Sequence, residues 1–135
     1  MDHENYFGGR EHAIIKHYFL EKYLEVLCFK TLLSQSGTRP EFTYIDGFTG
    51  PWGARNDQYL DTSFGVALEV LNRVKSRLPD VKLKAVFCEV RRKAFAELQE
   101  FVSKNAGEVE VQCLCGRFEN HIEVINSFVG PNGFR

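Results

Sequence analysis

An α/β domain around a small parallel sheet is the fold class this sequence predicts, on three observations. Short runs rich in β-branched and aromatic residues alternate with longer runs of helical spacing, in the order helix, then strand–helix three times. The second short run, "VKLKAVFCEV", alternates and then turns continuously apolar, the pattern of a strand covered on both faces. The 135 residues carry no internal repeat, low-complexity tract or linker, so a single core takes up the 44% hydrophobic content. Right-handed crossovers follow from the alternation. The expected strand order is third, second, first, with the first strand on an edge and helices on both faces.

Each element has its own signal. Residues 10–33, "REHAIIKHYFLEKYLEVLCFKTLL", space Ile14, Tyr18, Leu20, Leu24 and Leu27 as a helix does. Lys16, Glu21, Lys22 and Glu25 fall between them, which predicts a long amphipathic helix of about six turns. "SQSGTRP" (34–40) is a loop by composition. "EFTYIDGF" (41–48) is the first strand. Asp61, Thr62 and Ser63 are cap candidates for a helix over 62–78 that turns Phe64, Ala67, Leu68, Leu71, Val74 and Leu78 inward. The second strand, 81–90, leads into "RRKAFAELQEFVSKN" (91–105), a helix with Phe95, Leu98 and Val102 inside and a stop at "NAG". "EVEVQCLCG" (108–116) alternates strictly as a third strand. "RFENHIEVINSFVG" (117–130) then spaces Phe118, Ile122, Ile125 and Val129 as a last helix.

Composition narrows the function. A formal net charge of -1 leaves no global field toward nucleic acid or membrane. The opening "MDHENYFGGREH" has no signal-peptide pattern, and no apolar run approaches the roughly 20 residues of a membrane span. Cys28, Cys88, Cys113 and Cys115 form no Cys-x-x-Cys pair and sit in apolar contexts, so buried reduced thiols in a cytoplasmic protein are expected. In a strand, the thiols of Cys113 and Cys115 would share one face. His3, His12, His17 and His121 have no ligand spacing, and no metal site is expected.

The stretch "FTYIDGFTGPWGARND" (42–57) is the chief candidate for a binding role. A strand ends in Asp46, and Gly47, Gly50 and Gly53 follow with Pro51 and Trp52 among them. In doubly wound sheets ligands sit outside the carboxyl ends of strands, and glycines let backbone approach them. The bland reading is a tight loop. Glu89 ends the second strand in the same way, where a carboxylate can accept from both hydroxyls of a ribose. The glycines run Gly-x-x-Gly-x-x-Gly rather than Gly-x-Gly-x-x-Gly, and no phosphate-binding Gly-x-x-x-x-Gly-Lys-Ser/Thr loop is present. An acid at the lip repels a pyrophosphate but suits a cation such as the amino group or sulfonium of S-adenosylmethionine.

"YIDGFTGPWG" resembles the first motif of S-adenosylmethionine-dependent methyltransferases of the Asp-x-Phe-x-Gly-x-Gly kind. The wider chain, through "HAIIKHYFLEKYL", "TSFGVALEV", "VFCEV" and "CGRFENHIEVI", is similar to the three-Cys-motif partner (TcmP) family. The resemblance implies the N-terminal half of a Rossmann-like methyltransferase sheet in a bacterial protein, with S-adenosylmethionine as cofactor. It also implies a separate partner protein that carries the three cysteines. Carried over, Asp46, Gly47, Phe48, Gly50, Pro51 and Gly53 line the methionine end of the cofactor, and Glu89 holds the ribose. Gly116 and Arg117 fall at the adenine position, where Arg117 has the wrong polarity for the adenine amine. No catalytic residue is assigned.

Residues 1–40 are expected to be a helical extension and 41–135 a cofactor-binding unit that stops before a fourth strand. Three functions stay open: a methyltransferase cofactor half, a non-catalytic module that binds a three-cysteine protein, and a nucleotide-binding domain that the glycine spacing disfavours. "RRK" (91–93) reads as a phosphate patch for a nucleic-acid substrate or as the solvated first turn of a helix. Self-association through residues 42–48 is expected, because an edge strand presents unpaired backbone groups.

Overall fold

β1 (Glu41–Asp46), β2 (Lys82–Glu89) and β3 (Glu110–Cys115) pair in parallel, in the order β1-β2-β3, in a computed structural model that describes residues 10–35, 39–47 and 63–130. Asp46 is level with Phe87, and Glu89 with Cys115. Among the described residues β2 has neighbours on both sides, and β1 and β3 have one each. The helices are α1 (Arg10–Ser34), α2 (Ser63–Arg77), α3 (Arg92–Asn105) and α4 (Ile122–Val129), with a 3-10 turn at Phe118–Asn120 before the last. Among the described residues no helix is long and apolar enough to cross a membrane.

Burial of β2 explains the layering. From Leu83 to Glu89 every residue is buried. Leu83, Ala85 and Phe87 face a large cluster formed with α1, α2 and α3, while Val86 and Cys88 face a smaller one formed with α4. Phe64 joins three elements of the large cluster, with its ring edge-on to Phe87 at 6.1 Å and to Phe101 at 5.1 Å. Chain travel from β1 to β2 to β3 runs one way across the sheet, so crossovers of one hand put α2 and α3 on one face. α4 packs on the other.

The helices depart from their expected faces in ways the packing explains. In α1, Leu24, Cys28 and Leu32 are buried against α2, but Tyr18 is exposed and Leu27 only half-buried. Glu21 and Glu25, expected to face solvent, flank the contact with α2 and pair with Arg73 at 3.2 and 3.1 Å. The side opposite α2 carries Phe19, Tyr23, Val26 and Leu33, so α1 is apolar on two faces rather than amphipathic. Each such ion pair contributes about 0–1 kcal/mol, against about 1.5–3 for a buried leucine, so the apolar contact holds α1 to α2. α2 itself buries Val66 and Val70 beyond its expected face, because it lies between the sheet and α1.

In α3, Ala94, Leu98 and Phe101 are buried, with Phe95 and Val102 at the margin of the cluster. The last helix was expected to run unbroken from residue 117. The 3-10 turn instead rotates the chain tighter than an α-helix does, which throws Ile122 out to solvent while Ile125 and Val129 pack inward.

Lys84 is the one buried lysine in the described core, 7% exposed in the middle of β2. Its Nζ donates to the Phe128 carbonyl at 2.6 Å and lies 2.8 Å from Glu41 Oε1 and 5.3 Å from the Phe128 ring centre. The carbonyl ends of a helix carry partial negative charge, so this ammonium caps α4 and ties it to two strands. Lys84→Met is expected to destabilise the protein by about 2–4 kcal/mol in denaturant unfolding, because it strips α4 of its cap and leaves Glu41 without its charge partner. Glu41→Gln should cost about 1 kcal/mol or less, as Glu41 stays partly solvated. Equal effects of the two would mean that the Glu41 pair, not the helix cap, is what Lys84 supplies.

Candidate functional site

Three chain ends meet at the carboxyl rim of the sheet. β1 delivers Asp46 and Gly47, β2 delivers Glu89, and the turn after β3 delivers Gly116, Arg117 and Phe118. In a pleated parallel sheet the residue level with Phe87 and the one two further along β2 point to the same face. Asp46 and Glu89 therefore share the face that α2 and α3 cover. From strand spacing and rise their Cα atoms lie roughly 8 Å apart.

Both acids have local bonds. Asp46 Oδ2 accepts from Ser63 Oγ at 3.0 Å and, at a long 3.5 Å, from Tyr44 OH. Ser63 opens α2, so this carboxylate sits against a helix start, where negative charge is favoured. Burial pushes the Tyr44 phenol well above its ordinary range, and the charge of Asp46 and its hydrogen bond add to the shift. Glu89 is only 6% exposed. Its Oε1 accepts from the Arg91 backbone N–H at 3.3 Å and from Arg91 Nε at 2.8 Å. Both bonds fall on one oxygen of a group that has two to offer. The bond from Arg91 Nε is charge-assisted and fixes the direction in which this oxygen points.

The turn after β3 closes the rim. Gly116 N–H donates to the Glu89 carbonyl at 2.9 Å, and His121 Nε2 donates to the Cys115 carbonyl at 3.0 Å. Gly116 has φ +136, and a Cβ there would lie 2.7 Å from His121 Nε2, so only glycine fits without rearrangement. The chain then crosses the sheet end until Phe118 meets Gly47, where an added Cβ would lie 3.2 Å from Phe118 Cβ. Gly47 is thus small because a ring is packed against it.

Of the residues expected to bind cofactor, the structure brings Asp46, Gly47, Glu89 and Gly116 to one rim. Phe48, Gly50, Pro51 and Gly53 lie outside the described residues, as do the cap candidates Asp61 and Thr62. Arg117 is exposed, with its guanidinium 4.0 Å from Glu119, and offers no acceptor for an adenine amine. Ser63 and Arg91 join the rim without having been expected there, and Phe118 joins it from the turn expected at the adenine position. Arg91 was legible as a cation two residues past Glu89; nothing in the spacing announced the Phe118–Gly47 contact. Arg91 turns its guanidinium to Glu89, so the "RRK" run is not a uniform basic patch.

The carboxylates at two adjacent strand ends fit the ribose and cationic groups of S-adenosylmethionine, and Arg117 does not fit its adenine. Among the described residues no group of three or more His, Cys, Asp or Glu is placed to hold a metal ion. Comparison with protein-family models, curated proteins and solved structures found no match to this chain.

One of the four thiols departs from expectation. Cys28 and Cys88 are buried and Cys113 half-buried, but Cys115 is exposed at the last position of β3, where the strand leaves its cover. Burial, with Glu25 adding, pushes Cys28 up to about 12. Burial, with Cys88 adding, pushes Cys113 up to about 11. Cys88 is raised by burial first and by Asp46 second. A disulfide-exchange reagent at pH 8 is expected to titrate one thiol quickly, lost in Cys115→Ser, and the other three only on unfolding. The folded values lie above the ordinary 9.0, so the stabilisation from neutral buried thiols is complete below about pH 9 and is lost as the pH rises toward 11 and 12. Thermal melts of the wild type across pH 8–11 should therefore fall more steeply than those of Cys28→Ala; parallel curves would remove Cys28 as a cause.

Proposed function

We propose that this chain is the cofactor-binding half of an S-adenosylmethionine-dependent methyltransferase of the three-Cys-motif partner kind. The observation that carries the reading is the placement of Asp46 and Glu89 on one pleat face at the carboxyl ends of adjacent parallel strands. Glu89 would accept from the ribose hydroxyls with the carboxylate that Arg91 orients. Asp46 would face the cationic methionine end from its position beside the start of α2. When bound, the cofactor supplies an electrophilic methyl group; the residues described here bind and orient it, and none is assigned to the acceptor.

The layering supports a half of a doubly wound sheet. α1, α2 and α3 pack on one face and α4 on the other. A right-handed crossover through a helix on the second face returns the chain toward β1, so a further parallel strand would lie beside β1. The crevice between that strand and β1 is where such sheets take their ligands, and Asp46 is at its mouth.

A second reading, a non-catalytic module that binds a three-cysteine-motif protein, is favoured by a different observation. Glu89 is already bonded to Arg91, and α1 exposes several large apolar side chains. Cofactor titration separates the two. Calorimetry with S-adenosylmethionine is expected to show binding that Glu89→Gln weakens roughly ten- to a hundredfold, about 1.5–3 kcal/mol, while the variant remains folded with a somewhat lower melting temperature. Asp46→Asn should weaken binding by a smaller factor, since the amide oxygen still accepts from Ser63. Equal affinity in all three proteins would make the acids structural ends of strands, and no binding at all would leave the partner module.

A further inference from the structure

α1 exposes five large apolar side chains, Tyr18, Phe19, Tyr23, Val26 and Leu33. Four of them form a line. Phe19, Tyr23, Val26 and Leu33 are 64, 67, 57 and 70% exposed, and with Lys30 they follow the spacing 4-3-4-3. That spacing is the seam of a helix that packs along another helix, since residues every 3.5 positions keep facing one partner. It is narrower than the apolar face of a helix lying in a membrane surface. From Phe19 to Leu33 it runs roughly 21 Å, long enough for four layers. Leu24, Cys28 and Leu32 hold the other side of α1 to α2, so the seam is rigidly presented outward.

Four of the five seam positions, 19, 23, 26 and 30, match one another when the seam is reversed. With two copies of α1 antiparallel about a two-fold axis between residues 24 and 25, Tyr23 faces Val26 of the second copy, and Phe19 faces its Lys30. A lysine opposite an aromatic ring is favourable, and opposed helix dipoles are too. In a parallel pair Lys30 would meet Lys30, a like-charge contact inside the seam. Lys22, at the flank, lies 6.0 Å from the Tyr18 ring of its own chain and so leans away from the line. The exposed parts of the four apolar residues and the stems of Lys22 and Lys30 amount to roughly 600 Å² per copy. A pair would bury at most about 1,200 Å², which reaches the lower end of stable specific interfaces.

We propose that the outer face of α1 is a homodimer interface, formed by antiparallel pairing of α1 with α1 of a second copy. The interface is remote from the carboxyl rim and does not depend on the cofactor reading.

The test is sedimentation velocity of the wild-type protein from about 1 to 100 µM, beside the double variant Tyr23→Glu, Val26→Glu. Both positions are exposed, so the variant should keep the wild-type circular dichroism and a cooperative melt, lower only by what the lost association contributes. A wild-type dimer whose dissociation constant rises at least tenfold in the variant is the expected result. In a Cys115→Ser background, Phe19→Cys mixed with a mass-tagged Lys30→Cys should give a mixed disulfide, whereas Phe19→Cys alone should give none. Cross-linking of Phe19→Cys to itself would overturn the antiparallel arrangement. A wild type that stays monomeric at 100 µM would overturn the proposal, whether or not it floats with anionic vesicles. A variant that remains dimeric would also overturn it and move the contact to another surface, of which the open edge of β1 is the first to examine.

Discussion

The rest of the structure depends on the burial of β2. A strand paired on both sides, with apolar residues pointing both ways, has to be covered above and below, since a bare face would leave the apolar side chains of its neighbours in water. Three helices meet this demand on one face and a single short helix meets it on the other. The asymmetry gives the second face its weak point at the amino end, where Lys84 lies under the end of α4. An ammonium there is tolerated because two carbonyls, an acid and a ring surround it. The same covering relation sets the rim, because α2 must begin beside Asp46 to cross back over β2.

Much of this was legible before any coordinates. The three strands and four helices announce themselves by period, and their boundaries shift by only one or two residues, except where the helix after β3 breaks into a 3-10 turn. The faces were harder to read. Period alone found Leu24 on the inner face of α1 but missed Cys28 and Leu32 and put the exposed Tyr18 inside, and it did not say that the opposite face was apolar too, because Phe19, Tyr23, Val26 and Leu33 interleave with charges. Glu21 and Glu25 looked like solvent residues, and only the arrival of Arg73 from a distant helix assigns them to a contact. Lys84 was hidden in an alternating run, where a charged residue ordinarily marks the wet face.

The candidate site divides in the same way. Acids at the ends of two strands were readable, since each closes an apolar run. Their surroundings were not. Glu89 turns out to be deeply buried and bonded to Arg91, and Asp46 takes the hydroxyl that was expected to cap α2. These bonds orient both carboxylates, which is what a binding site requires of its acceptors and also what a well-made strand end requires of its own. Geometry alone gives the two roles the same appearance; the response to a ligand distinguishes them.

Amide chemical-shift mapping with added S-adenosylmethionine makes that distinction most directly. If the carboxyl rim is a cofactor site, saturable shifts should concentrate at Gly47, Glu89 to Arg91 and Gly116 to Phe118, with α1 and the amino ends of the strands unchanged. Shifts that are absent, or that gather away from these three segments, would contradict the account and return Asp46 and Glu89 to a structural role.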